Sequence, residues 1–291
     1  MRLTNLGVWA ATDGLTAAAA AAFAKRVEAW GYGALWIPEA FGREVFSASA
    51  WLLANTSRLI VASGIANIYA RDSFAAAAAQ KGLNEQSGGR FLLGLGVSHI
   101  PLVQGVRKHE YGKPVATMRT YLEGKSAATY RAVAPESPPQ TVLAALGPKM
   151  LELARDRTAG AHPYFTPPEH TAFARQVLGA APLLVPEIAV ALSAGPEGAA
   201  QARDYARLYL RLPNYTGNLR RFGYTDADID GGGSDRLMAD VVPHGPEASL
   251  ARIAAHLEAG ADHVVVQFLG AGGKFAAGDL TALADLTAVL R

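Results

Sequence analysis

The stretch Arg90-Phe-Leu-Leu-Gly-Leu-Gly-Val-Ser-His99 is a short apolar run that contains two glycines and ends abruptly in two polar residues. A strand covered by helices on both faces has such a continuous apolar sequence, so the pattern predicts a buried strand of a parallel sheet. Glycines within a strand leave room for a second backbone or a ligand to approach closely. Ser98 and His99, at the point where the strand stops, are therefore expected to face a site.

The same pattern of a short apolar run followed by a helical segment recurs along the chain. Strands are predicted at 3–10, 34–38, 58–66, 90–99, 141–145, 161–165, 184–192 and 263–269. Helices are predicted at 16–30, 44–55, 73–85, 114–125, 148–157, 166–178, 196–210, 246–259 and 279–290. At the start of the sixth helix, Thr166-Pro-Pro-Glu169 has the pattern of a capping box. Eight strands in alternation with helices indicate an α/β fold with a parallel sheet.

The chain length favours one of two sheet architectures. At 291 residues, strict alternation favours a single-domain (β/α)8 barrel, the TIM barrel, over its main rival, an open doubly wound sheet. Since no change in composition marks a second domain, residues 1–291 are expected to form one unit. An irregular insert is predicted at 213–245, before the last helix–strand pair, with a surface loop as the default expectation.

The composition argues against several classes of function. Half of the residues are hydrophobic and 18% are charged, and the net charge of +2 comes without the basic stripe of a nucleic-acid-binding protein. The alanine run at 17–22 is too short to span a membrane and no export signal is visible, so a cytoplasmic protein is expected. The absence of cysteine excludes disulfides and a cysteine nucleophile, and the seven histidines lack the spacing of a metal site.

Polar and aromatic residues at the ends of the predicted strands define the expected site, because barrel enzymes carry their working groups there. These residues are Trp9, Glu39, Asn67, Tyr69, Ser98, His99, 146–149, His162 and Gln267. The set contains no pair of carboxylates, and it therefore suits a planar ring better than a hydrolytic reaction. A dinucleotide site is rejected, because Gly94-x-Gly96-x-x-His99 lacks the third glycine of that fingerprint and is followed by Pro101.

Gly147-Pro148-Lys149 follows a predicted strand and opens a predicted helix. Free N–H groups, the positive end of the helix dipole and a nearby lysine would suit a phosphate group. A proline-started helix without any ligand explains the same residues, and from the residues alone that alternative is favoured.

Four short motifs together resemble the bacterial luciferase-like superfamily, and within it the branch of oxidoreductases that use coenzyme F420, a deazaflavin. They are Leu-Trp-Ile-Pro-Glu (35–39), Ser-Gly-Ile-Ala-Asn-Ile-Tyr-Ala-Arg (63–71), Leu-Gly-Leu-Gly-Val-Ser-His (93–99) and Ala-Ala-Leu-Gly-Pro-Lys-Met (144–150). Each motif is modest alone, but their order at matching strand ends extends the resemblance over essentially the whole chain.

The resemblance implies a (β/α)8 barrel that binds coenzyme F420, or alternatively FMN, at the C-terminal ends of its strands. It places a bulge with a non-prolyl cis peptide bond, Gly64-Ile65, behind the cofactor ring, with Asn67 able to hydrogen-bond the cofactor. It also places the cofactor phosphate on the loop at 146–149, which reverses the preference for a ligand-free helix start.

The expected site then has two groups of residues. The cofactor-binding group consists of Gly64, Ile65, Ala66, Asn67, Ser98, Leu146, Gly147, Pro148, Lys149 and His162. Glu39 and His99 form the second group and are expected to handle protons or to polarise the substrate.

These expectations indicate an oxidoreductase that transfers hydride between coenzyme F420 and an unidentified small organic substrate. Oxidation of sugar phosphates is not expected, because superfamily members with that activity carry an Asp-His pair where this chain has Glu39-Ala40. One alternative is an FMN-dependent monooxygenase with a separate flavin reductase, and another is a flavin-binding barrel without turnover. A homodimer is also expected, with neither nucleic acid nor a membrane as a partner.

Overall fold

The computed structural model describes residues 3–270 and residue 288, and in them strands alternate with helices. The strands are β1 (Leu6–Trp9), β2 (Ala34–Ile37), β3 (Ile60–Ser63), β4 (Ala66–Asn67), β5 (Phe91–Gly96), β6 (Thr141–Leu143), β7 (Gly160–Ala161), β8 (Leu183–Leu184), β9 (Glu187–Ala191) and β10 (Val264–Leu269). The helices are α1 (Ala17–Ala29), α2 (Val45–Ala54), α3 (Ser73–Ser87), α4 (Pro114–Ala127), α5 (Pro148–Arg157), α6 (Pro168–Leu178), α7 (Gly195–Tyr209), α8 (Pro213–Arg221), α9 (Asp226–Ile229), α10 (Asp235–Val241) and α11 (Pro246–Glu258). A π-helical segment spans Pro101–Val106 and a 3₁₀ turn spans Asp230–Gly232. No helix among the described residues is long and apolar enough to cross a membrane.

The strands form one curled parallel sheet. Their order is β8-β7-β6-β5-β3-β2-β1-β10-β9, with β4 paired to β5. The two ends of this path, β8 and β9, are separated in the chain only by Val185 and Pro186. Across this joint the N–H groups of Val185 and Glu187 donate to the carbonyls of Ala161 and Pro163, each at 2.9 Å. The ends of the sheet therefore meet within one run of chain, which is consistent with a luciferase-like TIM barrel rather than with an open doubly wound sheet.

Side chains alternate between the two faces of the curled sheet. One face buries a cluster made of Ala34, Trp36, Ile60, Ala62, Leu92, Val142, Val185 and Val265. Their neighbours along the strands, among them Leu35, Val61 and Leu93, belong to a larger cluster that includes residues of the surrounding helices. Because both faces bury apolar side chains, each strand needs a continuous apolar sequence, which is the signal that made the strands predictable.

Two predicted strands are interrupted in the structure, and one predicted helix start is wrong. The strand at 58–66 is divided into β3 and β4, and the strand at 184–192 into β8 and β9. The sixth helix begins at Pro168 without a side-chain cap, so the capping box is wrong. Glu169 is the second helical residue, one position too early for that motif. The helix predicted at 279–290 lies outside the described residues.

The segment at 213–245 is mostly helical, so the expectation of an irregular insert is wrong. It contains α8, α9 and α10, and the glycines at 231–233 occupy only a short turn with positive φ angles. Tyr215, Leu219 and Met238 pack into a second hydrophobic cluster together with Phe165. Sequence patterning misses these helices because each is under ten residues, too short for a clear apolar period.

The predicted bulge between β3 and β4 lies close to β5, with which both strands pair in parallel. The peptide bond Gly64–Ile65 is cis, as the family resemblance led us to expect. A Cβ on Gly94 would lie 2.0 Å from the Ser63 carbonyl oxygen, and a Cβ on Gly96 would lie 2.4 Å from Ile65 Cδ1. The Ser63 hydroxyl also bonds both the N–H and the carbonyl of Gly94, each at 2.9 Å. The two glycines of β5 therefore make room for the bulge.

Replacing Gly94 with alanine is expected to destabilise the fold, because the new methyl group would occupy the position of the Ser63 carbonyl. Overpacking of this kind costs about 1–3 kcal/mol, measurable as a lower midpoint of urea unfolding. Gly14→Ala is the matched control, since nothing lies within 4 Å of a Cβ at that position. Equal midpoints for the two variants would contradict the close approach of the bulge to β5.

Candidate functional site

A cavity of about 860 Å³ lies at the C-terminal ends of β5, β6 and β7 and beside the start of α8. Eight of the predicted site residues line it: Ile65, Ser98, His99, Leu146, Gly147, Pro148, Lys149 and His162. Four others do not: Glu39, Gly64, Ala66 and Asn67. The structure thus brings the loop at 146–149 and the residues that follow β5 and β7 into one chamber.

One part of the cavity lining is strongly basic. Helix α5 starts at Pro148 with Gly147 as its N-cap and no side-chain cap, so its positive dipole end is left open at the cavity. Lys149, Arg211 and Arg221 line the cavity, and Arg221 Nη2 lies 3.8 Å from the position of a Cβ on Gly147. None of the described lining residues is an aspartate or glutamate. This arrangement suits a phosphate or another anionic group.

Sequence analysis did not predict three residues of the cavity lining, two of which are basic. Arg211, Tyr215 and Arg221 line the cavity although they lie within or next to the predicted insert. Asn218 accepts a hydrogen bond from Arg221 Nη1 at 2.8 Å and so orients the guanidinium. The sequence offers no signal for this role, because arginines at the end of a short helix are equally typical of a solvated surface.

A buried histidine holds the loop at 146–149, which lies at the basic end of the cavity. His170 Nε2 donates to the Leu146 carbonyl at 2.8 Å. Burial is the main reason that the pKa of His170 falls to about 4, and the nearby Arg221 lowers it further. His170 is therefore neutral at physiological pH, and it positions the backbone of the loop without adding a charge beside the arginine.

The opposite part of the cavity is aromatic and neutral. Tyr164 and Tyr215 line it, with ring centroids 5.9 Å apart in an edge-on arrangement, and Tyr209 packs behind both. Burial raises the pKa of Tyr215 well above its ordinary value, so the phenol stays protonated. This wall offers apolar ring surface rather than charge.

Ser98 and His99 are the polar residues that end the opening stretch. Ser98 has φ = 58°, a left-handed conformation that is uncommon for a residue with a side chain, and its carbonyl accepts from the Tyr111 hydroxyl at 3.2 Å. The His99 ring lies 5.8 Å from that of Tyr215. Burial lowers the pKa of His99, so the imidazole is neutral near pH 7 and can donate or accept a hydrogen bond.

His162 follows β7, lines the cavity and lies against Gly64 of the bulge. Its ring stacks on Trp36 with centroids 4.4 Å apart, and its Nδ1 lies 2.8 Å from the Val185 carbonyl oxygen. Its Nε2 would lie 3.2 Å from a Cβ on Gly64. Among the described residues this nitrogen has no aligned hydrogen-bond partner, although it is buried.

Glu39 is held behind the bulge and not in the cavity. Its side chain is 5% exposed and forms a two-pronged ion pair with Arg71. The same carboxylate accepts the backbone N–H of Asn67 at 2.9 Å, at the start of the chain that leads away from the bulge. The geometry gives this carboxylate a structural task and no contact with a ligand in the cavity.

Asn67 lies outside the cavity lining. Asn67 Oδ1 accepts the N–H of Tyr69 at 2.9 Å, while its buried Nδ2 has no partner among the described residues.

A metal site is not found in the part of the chain that the structure describes: there, no group of three or more His, Cys, Asp or Glu side chains could hold a metal ion.

Known proteins with similar sequences or folds include coenzyme F420-dependent enzymes and a monooxygenase. The chain is 32% identical over 119 residues to a protein of Mycobacterium tuberculosis with the provisional name coenzyme F420-dependent oxidoreductase. That match covers 41% of this chain and only 33% of the relative's length.

Among solved structures, an F420-dependent secondary alcohol dehydrogenase bound to an F420–acetone adduct shares the fold. Its TM-score is 0.76 at 12% identity, with both chains fully covered. The EDTA monooxygenase of Chelativorans sp. BNC1 is similar to nearly the same degree, with a TM-score of 0.73, 13% identity and coverage of 99% and 93%.

The family profile described as luciferase-like monooxygenase matches residues 2–267, which is most of the chain. The chain therefore belongs to the luciferase-like monooxygenase family.

Proposed function

We propose that this enzyme transfers hydride between coenzyme F420 and a small organic substrate. The observation that carries the proposal is the division of a single cavity into a basic end at Lys149 and Arg221 and a neutral, mostly apolar remainder. A cofactor with a flat ring and an anionic side chain needs this combination, because the ring gains from apolar contact and the side chain from positive charge.

The proposal takes residues 1–291 as one (β/α)8 barrel domain, with the segment at 213–245 as part of the cavity wall. The continuity of β8 and β9 through Val185 and Pro186 supports closure of the sheet. The position of Tyr215 and Arg221 in the lining supports the role given to the segment.

The residues present fit a deazaflavin or flavin. The open start of α5 and the side chains of Lys149, Arg211 and Arg221 would hold the anionic side chain. Ile65 enters the cavity from the bulge, and the buried Nε2 of His162 still has a hydrogen bond to make. A polar atom that is buried without a partner in the described protein is satisfied at low cost by a ligand that brings the missing group.

When bound, the cofactor would supply the hydride chemistry. The chain's own residues would bind the cofactor and the substrate, orient them toward each other and exclude water from the cavity. His99 lines the cavity as a neutral imidazole and is proposed to exchange a proton with the substrate or to polarise it. Glu39 is no longer proposed for this task, because its carboxylate is bound to Arg71 and the backbone of Asn67.

The choice of F420 over FMN rests on the named relatives and not on the fold. The Mycobacterium tuberculosis protein and the secondary alcohol dehydrogenase both carry F420 in their names. The EDTA monooxygenase fits the same fold almost equally well, so an FMN-dependent monooxygenase served by a separate flavin reductase is the second candidate.

Titration of the apoprotein with F420 and with FMN, followed by protein fluorescence, tests the cofactor. We expect a dissociation constant about tenfold lower for F420, since its longer acidic side chain offers more charge to the three basic residues. Equal or reversed affinity would contradict the proposal; oxygen consumption with enzymatically reduced FMN would then test the monooxygenase. Binding of neither cofactor would favour a barrel without turnover.

Removal of one cation tests the position of the anionic side chain. Arg221→Gln is expected to weaken binding of F420 about tenfold, because a charge-assisted hydrogen bond is lost at the start of α5. Arg220→Gln is the matched control: Arg220 is the preceding residue, outside the cavity lining, and it is paired with Asp226. A uniform effect of both variants, or none for Arg221→Gln, would place the anionic group elsewhere.

We also propose that the enzyme is a homodimer that associates through α1, α2 and α3. Helix α2 contains no charged residue, and Trp51 at its surface is 46% exposed. Phe74, in the first turn of α3, is 53% exposed. Alanines form the exposed face of the first half of α1, and Lys25 and Arg26 are exposed in its second half. Small and aromatic apolar side chains on neighbouring helices form the kind of patch that a second copy can cover.

Light scattering after size-exclusion chromatography tests this association. The wild type is expected to elute with twice the mass of the chain, and Trp51→Glu is expected to shift it toward the monomer by burying a charge in the contact. Val133→Glu, in the connection after α4 and 73% exposed, should leave the mass unchanged. A monomeric wild type would refute the proposal.

A further inference from the structure

The proposed function leaves one buried acidic side chain without a task. Glu187 is the first residue of β9 and is 4% exposed. Its Oε2 lies 3.3 Å from His162 Nε2, and no described lysine or arginine forms an ion pair with it. An isolated buried carboxylate is costly, so this group needs either a proton or a positive partner.

The protonation of His162 is restricted by its other contacts. Nδ1 faces the Val185 carbonyl oxygen at 2.8 Å, and a carbonyl can only accept, so Nδ1 carries a hydrogen. Stacking on Trp36 fixes the plane of the ring. The one site on this ring that can gain or lose a proton is therefore Nε2, the atom beside Glu187.

The groups around this pair are neutral. On β10, His263 accepts from Trp36 Nε1 and donates to Thr4, and burial lowers its pKa to about 4. On α7 and α8, burial raises the pKa of Tyr209 to about 12 and that of Tyr215 well above its ordinary value. Both phenols are thus uncharged at neutral pH, and neither supplies the missing positive charge.

Because these surroundings supply no other charge, one proton held between Glu187 and His162 Nε2 would leave the pair neutral. The pair is a carboxylic acid beside a neutral imidazole or a carboxylate beside an imidazolium, and in both forms its total charge is zero. Burial raises the pKa of Glu187, while the neighbouring His162 opposes that shift. The two forms differ only in which of the two facing atoms, Glu187 Oε2 or His162 Nε2, holds the proton. A negative charge placed beside Nε2 favours the form with the proton on nitrogen.

His162 connects this proton to the cavity. The imidazole is part of the lining, and Nε2 lies beside Gly64 of the bulge without an aligned partner. Resting on the proposed function, we propose that Glu187 is a positioning residue whose proton lets His162 donate a hydrogen bond from Nε2 to an anionic cofactor ring bound over the bulge. The proton leaves the carboxyl oxygen for Nε2, and Glu187 then carries the negative charge that balances the imidazolium.

The pair can be tested in the protein without cofactor. In Glu187→Gln the amide has no acidic proton to share, so the ¹⁵N resonance of His162 Nε2 is expected to move to the position of an unprotonated nitrogen. His162→Gln identifies the resonance by its loss. Tyr209→Phe removes a hydroxyl from the same surroundings and should leave the resonance as in the wild type. An unchanged resonance in Glu187→Gln overturns the inference.

The link to the ring is tested by binding. Glu187→Gln is expected to bind reduced F420 about tenfold more weakly than the wild type, because a hydrogen bond to a charged group is lost. Reduced F420 bound with wild-type affinity overturns the inference. If Glu187→Gln does not fold, His162→Phe applies the same test, since it removes the donor, keeps a ring against Trp36 and keeps the acid. Failure of the wild type to bind F420 at all contradicts the proposed function, whereas the resonance test of the pair stands independently.

Discussion

The close approach of the bulge at Gly64 and Ile65 to β5 is the constraint on which the rest of the site depends. The Ser63 carbonyl and the Ile65 side chain occupy the space that Cβ atoms on Gly94 and Gly96 would fill. Because the bulge can lie this close, Ile65 reaches the cavity and Gly64 stays against His162. The two glycines of one strand thereby determine where the floor of the cavity lies.

Positively and negatively charged side chains lie in different places around this floor. Lys149 and Arg221 supply positive charge at the start of α5, and His170 stays neutral beside them because it is buried. Acidic groups are kept behind the wall, where Glu39 binds Arg71 and Glu187 lies against His162. An anion entering the cavity therefore meets cations at one end and no exposed carboxylate in the described lining.

Sequence reasoning predicted the parallel α/β fold and eight residues of the cavity lining, for identifiable physical reasons. Parallel strands buried on both faces leave continuous apolar runs, and their ends mark where polar groups such as His99 and His162 must gather. Glu39 also follows a strand, but whether a carboxylate turns toward a cavity or toward Arg71 depends on a partner that is 32 residues away in sequence. Arg221 and Glu187 carry no local signal, since both gain their roles only when distant segments pack together.

The cavity also lies between two hydrophobic clusters. Met150 of α5 belongs to the large cluster of the barrel, whereas Leu219 of α8 belongs to the smaller one around Phe165. Lys149 precedes Met150 and Arg221 lies two residues after Leu219, so an anion held between Lys149 and Arg221 would tie both clusters together. The ligand would then act as a non-covalent crosslink between an early and a late part of the chain, and unfolding of either cluster would require its release.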